Sequence, residues 1–196
     1  EHARQMWFEL KDIQENAGLR EIRLYFKALE HAANAIALLS GNPLTERRFL
    51  VRFAQRAAAI DRVGMAAGLI GLLGGAEVQL QELQSWIAAW EEAYAALPEM
   101  SRSVAIHPAR RAYYGRALQA LLNGEEPRAA LWPLLNTWQE MVTEMGIESV
   151  AGDGWKEVTL KLGLSGKDFA HRMAAFDAFL DQVEEAIEEW AQKNGA

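Results

Sequence analysis

Apolar residues recur at alternating steps of three and four along nearly the whole chain, the rhythm of helices that bury one face. Met6, Leu10 and Ile13 mark a first helix over about 3–16, with Gly18 as its stop. A second, over about 19–39, turns Ile22, Tyr25, Phe26, Leu29, Ala33 and Ile36 inward and breaks at SGNP, 40–43. Thr45 is placed to cap a third helix over about 46–60, with Phe49, Leu50, Phe53, Ala57 and Ile60 inside. The uncharged run GMAAGLIGLLGG, 64–75, reads as a short fourth helix. Further helices follow over about 77–97, 109–122 and 128–145. Pro133 lies inside the last of these and predicts a kink, or a helix that begins there. After GDG at 152–154, EVTLKL alternates like a strand, yet no second strand is available to pair with it, so a short helix over 155–162 is expected. Ser165 with Asp168 gives a capping-box-like start to the last helix, about 166–193, whose Phe169, Met173, Phe176, Leu180, Val183, Ile187 and Trp190 keep the same rhythm. The pattern predicts an all-α fold: a bundle of eight or nine largely antiparallel helices with a long C-terminal helix. Residues 1–196 are expected to form one helical domain, with 98–108, between two prolines, as its one candidate boundary.

Composition narrows the classes of function. Half of the 196 residues are hydrophobic (51%) and a quarter charged (24%), which suits a folded globular chain. Seven Trp, seven Phe and four Tyr supply a large core. A net charge of −7 gives no overall attraction to nucleic acid or to an anionic membrane. The absence of cysteine removes disulfides, zinc thiolates and thiol nucleophiles, and with no secretory signal region the expected compartment is the cytoplasm. The chain opens without Met, as expected of a processed protein or a piece of a longer one.

The glycine-rich run meets neither nucleotide fingerprint, since no G-x-G-x-x-G follows a strand and no Lys-Ser/Thr follows a glycine loop. Its uncharged stretch, 63–76, is shorter than the ~20 residues that cross a bilayer. Its expected use is close helix packing, ending at Gly74 and Gly75. None of His2, His31, His107 and His171 is followed three or four residues later by a carboxylate or histidine, and neither a metal nor another cofactor is expected.

Two charged stripes carry the candidate binding chemistry. Arg48, Arg52 and Arg56 recur every four residues, with Arg47 and Arg62 nearby, and from residue 28 to 155 every cation is arginine. Guanidinium makes forked contacts with carboxylate or phosphate, so this stripe is read either as a wall facing an anion or as a solvated, internally paired face. Asp177, Asp181, Glu184 and Glu188 form an acidic row on the last helix, read as a solvated face or as a docking surface for a basic partner. Tyr113, Tyr114, Trp132 and Trp138 are candidate linings of a ligand groove; the adjacent tyrosines point in different directions, so one of them is expected to reach a groove or the surface.

Arg102-Ser-Val-Ala-Ile-His107 resembles the R-x4-H pair of the HEPN family of helical RNase-like domains. That resemblance implies a homodimer with Arg102 and His107 as catalytic residues on one helix, whereas His107 stands directly before Pro108, a position biased away from helix. The segments YFKALEHAANAIALLSGNPLTERRFLVRF (25–53) and YYGRALQALLNGEEPRAALWPLLNTW (113–138) resemble the helical C-terminal domain of bacterial small-molecule nucleotidyltransferases of the kanamycin-nucleotidyltransferase type. This second resemblance, about half the chain, rests on texture and implies a non-catalytic domain that helps form a small-molecule acceptor site. Its partner would be a catalytic α/β domain, in the same or a separate chain, bearing the Gly-Ser and carboxylate motifs that this sequence lacks. A third reading is a scaffold that docks a basic partner through the acidic last helix.

Overall fold

The computed structural model describes residues 1–13, 17–99, 101 and 103–195, and it is all-α, with no strand among the described residues. Its helices are α1 (His2–Leu10), α2 (Leu19–Leu38), α3 (Phe49–Ala58), α4 (Gly64–Leu72), α5 (Leu80–Ala95), α6 (Arg111–Leu122), α7 (Leu131–Met145), α8 (Val150–Lys161) and α9 (Phe169–Asn194). Short 3-10 turns lead into four of them, at Glu46–Arg48, Pro108–Arg110, Pro127–Ala130 and Gly166–Asp168. Among the described residues no helix is long and apolar enough to cross a membrane.

Most boundaries follow the apolar rhythm, and the departures have local causes. The expected first helix runs past Leu10, but the chain turns there to bring α2 back against α1; residues 14–16 lie outside the described residues. α5 starts at Leu80 because Glu82 reaches back to accept from the Gln79 N–H at 2.9 Å. α7 does not begin at Pro133: the proline falls in its first turn, where its missing N–H has no helical partner to lose. GDG does not break the chain but lies inside α8, whose start is set by the Ser149 hydroxyl accepting from Gly152 N. Ser165 makes no side-chain cap.

The buried residues form one cluster from Ala3 to Ala186. At its centre lies α7 and not the longer α9, because Leu131, Trp132, Leu134, Leu135, Trp138, Met141 and Val142 make α7 apolar nearly all round. It packs on α2, α3, α5, α6 and α8, while α9 covers α1, α2 and α4. The polar groups that this buries find partners: Trp90 Nε1 donates to the Thr137 hydroxyl at 2.9 Å, and Trp138 Nε1 to the Ala151 carbonyl at 2.9 Å. Within 98–108, of which 100 and 102 lie outside the described residues, Ile106 is buried in the same core and the His107 carbonyl accepts from the Tyr94 hydroxyl.

The glycine-rich run divides in two. Gly64 and Gly71 have nothing within 4 Å of where a Cβ would stand, and Gly68 meets Phe179 at an ordinary 3.5 Å. Close approach is confined to the end of the run, where a Cβ on Gly75 would stand 2.5 Å from Leu131 and one on Gly74 would collide with the Leu162 carbonyl. Gly74 also has φ +77°, which non-glycine residues rarely adopt. The carbonyls at the end of α4 are capped from other helices: Leu72 accepts from the Tyr25 hydroxyl, and Gly71 from Arg172, which also holds the Leu162 carbonyl.

Candidate functional site

α3, α4 and α6, with the turn at Pro127–Ala130, enclose a groove of about 1130 Å³. Its walls are small and apolar: Val51 and Ala54 on α3, Ala66 and Ile70 on α4, Ala117 and Ala120 on α6. Five arginines line it (Arg47, Arg48, Arg52, Arg116 and Arg128) against two glutamates, Glu125 and Glu126. The groove runs along α6 from Tyr113 to Leu121, about 12 Å at 1.5 Å per residue, and on to Gly124 just past the helix end.

Its two ends differ in charge. At the start of α6, the Arg47 guanidinium lies 4.1 Å from the centre of the Tyr113 ring, a cation–π contact that leaves Tyr113 41% exposed. The guanidinium groups of Arg48 and Arg116 have no hydrogen-bond or ion-pair partner among the described residues, and that of Arg52 donates to the neutral Gln55 amide at 2.8 Å. At the far end Arg128 is held by a forked pair of bonds to Glu126, at 2.7 and 2.8 Å, and by the Ala76 carbonyl at 3.0 Å. Glu126 is thereby pushed below the usual carboxylate range, while Glu125 is exposed with no cation on it among the described residues.

The structure therefore gathers Arg48, Arg52 and Tyr113 around one groove and takes the other ligand candidates elsewhere. Arg56 turns away: eight residues on from Arg48 it is rotated ~80° about the helix. There its guanidinium donates to the Ser40 carbonyl at 2.8 Å and packs on Gly41, tying α3 to the turn before it. Tyr114, ~100° round α6 from Tyr113, is buried and donates its hydroxyl to Glu46 at 2.9 Å. Desolvation raises both members of that pair above their ordinary pKa values. Trp132 stacks flat on Phe49, centroids 3.7 Å apart, and Trp138 lies under α8; both are core.

Three of the four carboxylates in the acidic row on α9 are paired from within the chain. Arg4 of α1 pairs with Asp177, with Asp181 at 2.6 Å and with Glu184 at 3.0 Å, and Arg62 pairs with Glu189 at 2.7 Å. Glu188 stays exposed. Arg102 lies outside the described residues. His107 is in an extended, non-helical position, where its Nδ1 accepts from the Ala109 N–H at 3.2 Å. No group of three potential metal ligands occurs among the described residues.

The residues missed in the sequence are Arg116, Arg128 and the alanine walls. A signal for them exists: Tyr113, Arg116, Ala117, Ala120 and Gly124 fall at i, i+3, i+4, i+7 and i+11, a single helical face made of small residues and one cation. Comparison with known protein families, with curated proteins and with solved structures finds no match.

Proposed function

We propose that the chain is a non-catalytic binding domain whose groove between α3, α4 and α6 takes a partner with an apolar body and anionic groups. The observation that carries this reading is the pairing of alanine walls with arginines that have no internal acid to neutralise them. Small walls let an apolar body come close to three helices at once, and guanidinium groups at the rim would fix its anionic groups by forked hydrogen bonds. If the resemblance to nucleotidyltransferase helical domains holds, this groove is the surface the domain offers beside a separate catalytic domain; the groove's chemistry does not depend on that.

The test uses 1-anilinonaphthalene-8-sulfonate, an aromatic body carrying one anion, with its fluorescence as readout. Saturable binding is expected. It should weaken about tenfold in the double variant Arg48→Ala, Arg52→Ala, and be lost in Ala117→Trp, which fills the groove from α6. Binding that both variants leave unchanged would place the dye elsewhere and overturn the proposal.

A further inference from the structure

The groove's length and the sign of its two ends go further than an anionic ligand in general. We infer that it is a docking site for an acidic amphipathic helix of a partner protein, laid antiparallel to α6. The inference rests on the binding role of the groove proposed above.

Length is the first ground. The face runs for more than two helical turns from Tyr113 to Leu121 and continues to Gly124 past the helix end, and the groove's 1130 Å³ exceeds the ~300–1,000 Å³ usual for a small-molecule pocket. The walls are the second. Helix axes pack ~8–10 Å apart depending on the side chains between them, and Ala54, Ala66, Ala117 and Ala120 set the near limit. Larger apolar residues at i, i+3, i+4 and i+7 of an incoming helix would fill the space those alanines leave.

Charge is the third ground, and it also sets direction. Arg48, the last residue of the 3-10 turn into α3, and Arg52, four residues on within α3, line one side, and Arg116 projects from α6, so cations line two walls and do not converge from a single element. Carboxylates on both flanks of an apolar stripe match that arrangement. The groove is also polar along its axis. Arg47, Arg48 and the N-terminus of α6 make one end positive; Glu125 and the C-terminal carbonyls of α6 make the other negative. A helix carries the complementary dipole when its C-terminus lies near Arg47 and its N-terminus near Glu125, which is antiparallel to α6.

The experiment measures fluorescence anisotropy of two labelled peptides of about four turns. Both carry leucine at i, i+3, i+4, i+7 and i+11; one has glutamate flanks and the other lysine flanks. The glutamate peptide is expected to bind saturably, weaken by about tenfold or more in Arg48→Glu, Arg52→Glu, and be lost in Ala117→Trp. The lysine peptide should bind only the charge-reversed variant. Both reversed positions are exposed, and far-UV circular dichroism checks that the variants fold. If the anilinonaphthalene sulfonate dye occupies the groove but the glutamate peptide neither binds nor displaces it, the helix inference falls and the groove reading stands. If Ala117→Trp changes binding of neither probe, both fall.

Discussion

The same substitution, glycine to alanine, should have opposite effects at two helical positions of this protein. Gly154 lies within α8, where a Cβ would stand 2.6 Å from Trp138 Cζ2 and 3.3 Å from Cη2. Trp138 is fully buried, so its ring can yield only by moving against α7, and that movement pulls Nε1 from its 2.9 Å bond to the Ala151 carbonyl. Overpacking costs about 1–3 kcal/mol, and a buried hydrogen bond left unmade costs about 1–3 kcal/mol if the ring swings fully away. Against this, alanine gains about 0.5–1 kcal/mol over glycine in a helix. The net expectation for Gly154→Ala is a loss of about 2 kcal/mol, or about 4–8 °C in Tm for a chain of this size. Gly71, in α4, has nothing within 4 Å of the Cβ position. Only the helical gain remains there, trimmed by its place in the last turn, so Gly71→Ala should stabilise by about 0.5 kcal/mol. Urea unfolding followed by tryptophan fluorescence and by far-UV circular dichroism measures both changes at constant m-value. Equal signs for the two variants, or a neutral Gly154→Ala with an unchanged near-UV spectrum, would refute the packing geometry assigned to Trp138.

Two further outcomes test the electrostatic assignments. Arg4→Met should loosen α1 by about 1 kcal/mol, since its three carboxylate partners are each 42–71% exposed and such pairs are individually weak. Hydrogen exchange at α1 should speed up, and the difference from the natural chain should shrink in about 1 M salt; exchange that stays unchanged would remove Arg4 as the clamp. At Glu46 the raised pKa means the folded protein binds this proton more readily than the unfolded chain, so the group's contribution to stability rises as pH falls from the raised value toward the ordinary carboxylate range. Glu46→Gln removes that dependence while leaving Tyr114 an acceptor, so the variant's advantage over the natural chain should be larger near about pH 7 than near about pH 4. A difference that is flat with pH in urea unfolding would refute the desolvation of Glu46.

The fold was legible because helix-forming periodicity is a property of single segments. α2, α6, α7 and α9 fall within a few residues of their apolar patterns, and the caps at Gln79 and Ser149 account for two of the shifted starts. Rank within the core was less visible. α9 has the longer apolar row, but α7 is apolar on more faces, and only packing reveals that the helix with more buried faces takes the centre. Among the candidate aromatics only Tyr113 lines the groove; the others went to the core that they also signalled. Trp132 and Trp138 are large enough to be claimed by Phe49 and by α8, leaving the groove to alanines, whose sequence signal is only the spacing of small residues along one face of α6.

Charged stripes were harder still, because the meaning of a charge depends on what the fold brings to it. The acidic row of α9 met Arg4 from the other end of the sequence, and no local spacing rule could pair residues so far apart. Elsewhere the chain does the same with its arginines: Arg23 binds Glu140, Arg62 binds Glu189, Arg128 binds Glu126, and Arg56 and Arg172 cap backbone carbonyls. Arg48 and Arg116, like Arg20 and Arg111, are exposed and without an acidic partner among the described residues, in a chain whose net charge is −7, but Arg48 and Arg116 also line the groove. Carboxylates are plentiful in this protein, yet the fold brings only Glu125 and Glu126 to the groove, and Glu126 is engaged by Arg128. Neutralisation of the arginine end must then come from solvent ions or from an anion outside the chain, and an anion that also fills the alanine walls gains apolar burial that a free ion does not.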